Sequence, residues 1–249
     1  MAKKKLTADI SQVLAFPFKE KAWVKKLAIA SLLIFISFIP VIPMVLFLGY
    51  LAEIIRRIAV EGESPSLPEW EDLSAYFQDG FRLFGAGALY LIPSTVLLVV
   101  GYASMFIPIV IMEAGGMSDG EGMILMIMGY LAGFGLMGIG AVFSMVTGGV
   151  LPIAGSHVVV NSEFSAAFKL GEIWNIFKAN WSGFLIVYLI IIGGSVVLYY
   201  GSYIFVATVI LCCLYPFVLS FMATYLALVG SVLVAEAYRV GMDNLPIEK

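Results

Sequence analysis

Four ionisable residues stand inside or at the edges of stretches otherwise free of charge: Glu53, Glu113, His157 and Glu236. An ionisable group is costly in hydrocarbon, and where one persists it marks a path for protons, ions or substrate. Glu53, His157 and Glu236 fall near the inner ends of three successive returning segments. Two readings stay open: a proton- or ion-handling cluster, or simply the level at which the segments reach water. The remaining inventory is short. His157 is the only histidine, which excludes a His-rich metal site. No Gly-rich phosphate loop, G-x-S-x-G or H-E-x-x-H is present. Glu53 and Arg57 have the i, i+4 spacing of an ordinary helix-surface pair. Cys212 and Cys213 are adjacent in an apolar run, so their side chains diverge on a helix and read as inert buried thiols. No catalytic, cofactor-binding or metal-binding residue is assigned, and the chain reads as a non-enzyme.

The elements that position these groups are set by composition. Of 249 residues, 61% are hydrophobic and only 12% charged, half the charge of an ordinary soluble domain, and the mean hydropathy is +1.02. No Asp, Glu, Lys or Arg occurs from Leu27 to Ala52, Leu83 to Met112, Gly122 to Ser162 or Ala179 to Ala235. About 20 apolar residues carry a helix across the hydrocarbon, so the chain reads as integral to a membrane. The last two gaps are long enough for more than one span. Lys3, Lys4 and Lys5 are followed by Asp9, Gln12, Lys19, Glu20 and Lys21 rather than by an apolar core, so no signal peptide is expected. A net charge of −3 carries no nucleic-acid signature.

Lys and Arg stay on the cytoplasmic side of a membrane and so report topology. With Leu27 to Ala52 as one span, Arg56, Arg57 and Arg82 lie outside while seven lysines lie inside. With Pro40-Val-Ile-Pro43 as a tight external turn, all 14 basic residues fall on one side. The expectation is therefore an all-α protein with about six transmembrane helices arranged as three hairpins, both termini cytoplasmic in the cell membrane. Residues 23–60, 83–160 and 182–238 form the hairpins within one membrane domain. Residues 1–22, 61–82 and 161–181 precede them on the inner face, and 239–249 form a tail. The first pair of helices is short, so a re-entrant hairpin satisfies the same charge count.

Each hairpin is preceded by a segment too polar to span and too apolar on one face to float free. Ile10, Val13 and Leu14 are spaced for a helix, as are Leu73, Tyr76, Phe77, Phe81 and Phe84, and again Leu170, Ile173, Trp174, Phe177 and Trp181. These read as amphipathic helices in the cytoplasmic interface, with all four tryptophans in or beside them. Lys19, Lys21, Lys25 and Lys26 beside the first are candidate contacts to anionic lipid. Gly129 and Gly133 have small-xxx-small spacing for close helix approach, within the bundle or at a homo-oligomer face. Pro93, Pro108, Pro152 and Pro216 are expected to kink or end spans.

Several blocks resemble an uncharacterised bacterial and archaeal membrane family, domain of unknown function 4013. They are FPFKEKAWVKKLAI (Phe16 to Ile29), GYLAEIIRRI (Gly49 to Ile58), LPEWEDLSAYFQDGFRLF (Leu67 to Phe84) and AAFKLGEIWNIFKANW (Ala166 to Trp181). The resemblance runs from about Phe16 to Tyr238 and implies a multi-span membrane protein, with no activity or cofactor attached. The expected partners are the lipid bilayer and a homo-oligomer or larger membrane-protein complex. A non-catalytic subunit or scaffold is the expected role, and a small transporter or channel is the alternative.

Overall fold

The computed structural model describes residues 10–20, 22–37, 41–115, 118–207 and 213–245, and among them every regular element is helical. They are α1 (Ile10–Ala15), α2 (Trp23–Ile36), α3 (Val41–Ala59), α4 (Leu73–Gly115), α5 (Asp119–Asn161), α6 (Leu170–Ala179), α7 (Trp181–Ala207) and α8 (Tyr215–Asp243), with 3-10 turns at Phe16–Phe18 and Phe164–Phe168. Four of them, α4, α5, α7 and α8, are long and apolar enough to cross a membrane. The 14 residues of α2 rise about 21 Å and the 19 of α3 about 28 Å, short of a hydrocarbon core of about 30 Å. The α3 helix also carries Glu53, Arg56 and Arg57 in its last two turns.

The chain divides into two compact units, one comprising the residues up to Ala86 and from Pro152 onward, the other Gly87–Leu151. In the first, α8 is the hub and packs against α2, α3, α6 and α7. Half of its most apolar stretch is buried, against 11% for those of α4 and α5. Its sequence explains this, because Gly230, Ser231, Ala235, Ala237 and Gly241 keep its surface low and let neighbours approach. A Cβ on Gly241 would sit 2.8 Å from Cγ2 and 2.9 Å from the carbonyl oxygen of Ile176 on α6.

The second unit is the hairpin made by the far portions of α4 and α5. Its seam is glycine. A Cβ on Gly101 would lie 3.0 Å from the Gly133 carbonyl oxygen, and one on Gly133 would lie 2.8 Å from that of Gly101. Pro108 fills the space over Gly129. The hydroxyls of Ser94 and Ser104 donate to carbonyls of their own helix, at 3.0 and 2.8 Å, so they leave no unsatisfied donor at depth.

Pro93, Pro108 and Pro152 end no helix and lie inside continuous ones, while Pro216 sits in the first turn of α8, where a missing N–H costs nothing. Two local expectations differ from what is observed. Pro43 likewise falls in the first turn of α3, which begins at Val41 rather than beyond the proline pair; Pro40 lies outside the described residues. The segment before the second hairpin is no separate interfacial helix. Leu73 to Phe84 runs unbroken into α4, because nothing there stronger than a tolerated glycine interrupts the helix. Before the third hairpin α6 does form on its own, but it buries Ile173 and Ile176 and leaves Leu170, Trp174 and Trp181 exposed.

Candidate functional site

The densest polar chemistry gathers where α2, α3 and the start of α4 meet the extended stretch Leu67–Glu69. Lys26, in the first turns of α2, is only 5% exposed. Its ammonium donates to Glu20 Oε2 at 2.5 Å and to the Leu67 carbonyl at 2.6 Å, and pairs with Glu69 Oε1 at 2.8 Å. These three contacts use all three hydrogens of a lysine ammonium. The other oxygen of Glu20 accepts from the Leu67 N–H at 2.8 Å. The Trp70 indole N–H donates to the Lys26 carbonyl at 3.3 Å. Tyr50 donates to the Pro68 carbonyl at 3.0 Å, and its ring stacks on Trp70 with centroids 4.0 Å apart and planes 4° from parallel. Tyr76 stands edge-on to both rings and donates to the Glu69 carbonyl at 2.5 Å. A stretch with no helix to satisfy its backbone thus has its polar groups bonded by side chains, as burial requires.

Glu53 belongs to an adjoining ion network. It accepts from Arg56 and from Arg57, each at 2.9 Å. Arg56 also bonds Asp79 on α4, and Asp79 accepts from Arg82 at 2.9 Å. The backbones beside this network nearly touch. A Cβ on Gly49 would fall inside the radius of the Tyr76 carbonyl, and one on Gly80 inside that of the Val45 carbonyl. Only glycine fits either position.

His157, 3% exposed on α5, bridges two other helices. Its Nδ1 lies 2.5 Å from the Tyr238 hydroxyl on α8, and its Nε2 lies 3.2 Å from Glu172 Oε2 on α6. Glu236 is half-buried on α8, one turn before Arg239, which donates to the Ile58 carbonyl at 3.1 Å. Neither hydrogen bond nor ion pair joins Glu53, His157 and Glu236 among the described residues. Glu53 bonds within its own helix, and of the three only His157 is seen to bond across to other helices.

The other expected residues fall as follows. Gly129 and Gly133 face α4 within their own hairpin. Lys19 and Lys25 are exposed. Lys26 is saturated by protein partners, which withholds it from a headgroup. Lys21 lies outside the described residues, as does Cys212. Gly49 and Gly80 had no sequence signal beyond being glycine. The partners of His157 are 15 and 81 residues away, and no local spacing points to either.

The family described as Protein of unknown function (DUF4013) matches residues 32–206, and the chain belongs to it. The match takes in α3, the Leu67–Phe84 block and α6, and the block at Phe16 to Ile29 precedes it. No curated protein and no solved structure matches the chain. Fold and family together define an all-α membrane protein of a family without an assigned activity.

Proposed function

We propose that this protein is a non-catalytic membrane subunit or scaffold that assembles with copies of itself, other membrane proteins or lipid. One observation carries this reading: Lys26, Arg56 and His157 are bonded to side chains and backbone of other elements, across helix contacts. Lys26 ties α2 to Leu67 and Glu69, Arg56 ties α3 to α4, and His157 ties α5 to α6 and α8. A transporter holds such groups towards a midplane cavity, where substrate or ion can exchange with them. Here they fix helix register, and the groove between α2 and α8 is lined almost wholly by apolar side chains.

In this reading the three hairpins all insert, giving six crossing segments with both termini and the basic residues cytoplasmic. The first hairpin keeps pace with α8: Phe35 stacks on Phe217 near the start of α8, with centroids 4.7 Å apart, and Ile58 meets Arg239 near its end. Its short helices then require a locally thinned bilayer or snorkelling by Lys25.

Two measurements test this. In proteoliposomes, proton and potassium flux should equal that of protein-free vesicles, while mass determination in mild detergent should give a defined assembly. A flux abolished by Glu53→Gln, His157→Asn and Glu236→Gln together, with folding intact, establishes the transporter instead. For topology, single cysteines at Val41 and Ser118, in a chain lacking Cys212 and Cys213, should both react with an impermeant thiol reagent from outside. Reaction at Ser118 alone makes the first hairpin re-entrant, and reaction at Arg57→Cys or Arg82→Cys removes the three-hairpin arrangement.

A further inference from the structure

A groove of about 430 Å³ runs between α2 and α8, within the range of about 300–1,000 Å³ typical of small-molecule sites. Trp23, Ala28, Leu32 and Phe35 line it from α2, Phe217 and Phe221 from α8. Its two ends are built differently. At one end Phe35 stacks on Phe217. At the other, Trp23 stands edge-on to Phe18 at 5.1 Å, and Phe18 stacks on Tyr225 at 5.7 Å. From Trp23 to Phe35 is twelve residues of helix, about 18 Å, a little more than one leaflet's half of a hydrocarbon core of about 30 Å.

Charge is confined to the Trp23 end. Lys19 and Lys25 are both exposed there, and neither makes an ion pair among the described residues. They contrast with Lys26, which is buried against Glu20 and Glu69. The Ser31 hydroxyl is buried away from the open groove and has no hydrogen-bond partner among the described residues. Ser37, Ser220 and Thr224 by contrast each donate to the carbonyl four residues back.

We infer that this groove is a binding site for one anionic glycerophospholipid. An acyl chain lies along α2 from Trp23 towards Phe35, and the phosphate sits between the Lys19 and Lys25 ammonium groups. The inference rests on the membrane-embedded scaffold reading and deepens its lipid arm. An anionic lipid is the occupant that matches an apolar trough one leaflet deep with two unpaired cations at the Trp23 end. A second helix in the trough would leave those cations without a partner.

The test uses the full chain, purified in mild detergent and examined by native mass spectrometry with added phosphatidylglycerol or phosphatidylcholine. The wild-type protein should hold one phosphatidylglycerol per chain through detergent exchange and prefer it to phosphatidylcholine. Ala28→Trp, which fills the trough from an exposed position, should lose the bound lipid while keeping its thermal midpoint. Leu32→Trp, at a position 53% exposed, serves as a second filling variant should Ala28→Trp fold poorly. Lys19→Gln with Lys25→Gln should keep a lipid but lose the preference, about fivefold per lysine and about thirtyfold for both. Undiminished lipid in a folded filling variant, or an unchanged preference in the lysine variant, overturns the site. Either result leaves the scaffold reading standing, because assembly mass and vesicle flux are measured independently of lipid retention.

Discussion

The unit around α8 and the α4–α5 hairpin of Gly87–Leu151 are both bundles of apolar helix, yet they are held by different means. In the first, aromatic stacking and hydrogen-bonded ion pairs fix which residue meets which. The Lys26 cluster, the Arg56–Asp79 bond and the His157 bridge each join separate elements. In the second, the helices meet at Gly101, Gly129, Gly133 and Gly140 through van der Waals contact. Surface faces such as Leu131 at 70% and Met145 at 82% exposure stay apolar. Lipid tails offer an apolar helix face as good a partner as another helix does, so apolarity alone cannot choose a register in a membrane. Directional bonds choose it in one unit, and the absence of side chains at chosen positions does so in the other.

The largest effects should come where the first unit also relies on close approach. Gly49→Ala and Gly80→Ala each drive a methyl group into a carbonyl of the facing helix. Both should cost at least about 3 kcal/mol, at or beyond the upper end of ordinary overpacking, because rigid backbone cannot move aside. The expected readout is loss of the monodisperse chromatographic peak. A folded Gly49→Ala protein with a normal thermal midpoint would mean that α3 and α4 do not cross there.

Next comes the directional bond. Lys26→Met strands the Glu20 carboxylate and the Leu67 carbonyl and should destabilise by about 2–3 kcal/mol. This is below the full cost of breaking a buried pair, since Glu69 is well exposed. Adding Glu20→Gln should recover part of the loss, the non-additivity expected of partners in contact. Strict additivity in thermal melts would remove Lys26 from the contacts that hold α2 to the Leu67 stretch.

The third effect separates the units. All four tryptophans lie outside Gly87–Leu151, so tryptophan emission reports the first unit alone. Gly133→Leu should cost the hairpin about 2 kcal/mol through overpacking against Met105 and Gly101. Helix signal should melt earlier, with the native emission maximum unchanged. An emission shift matching the early helix loss would show the two units unfolding together.

Much of this architecture is legible in sequence because it rests on one-dimensional quantities. The charge-free gaps mark α4, α5, α7 and α8, and the i, i+4 spacing of Glu53 and Arg57 marks a pair that is observed. Legibility fails where a contact depends on distant elements. Lys26 looks like one more interfacial lysine until Leu67 and Glu69, more than 40 residues on, fold over it. His157 looks isolated until α6 and α8 bring Glu172 and Tyr238 to its two nitrogens. Gly129 and Gly133 show what spacing can and cannot say: it marks a face for close approach, and α4 of the same chain is what fills it.

The smallest expected effect concerns the glycines on the open side of the same helix. A Cβ at Gly135 or Gly138 meets nothing within 4 Å, and both residues are exposed. With no steric term, Ala gains only the helix preference that glycine lacks, so Gly135→Ala and Gly138→Ala should change stability by under about 1 kcal/mol, in the favourable direction. The same substitution at Gly133 should be clearly unfavourable. That sign difference, between glycines two and five positions apart on one helix, is the sharpest check on which face of α5 its own hairpin uses. If Gly138→Ala destabilises as Gly133→Ala does, the seam has been placed on the wrong face. If Gly138→Leu leaves the melting curve untouched but reduces the assembled mass, the open face of α5 holds a neighbouring chain, and the glycines divide between folding and assembly.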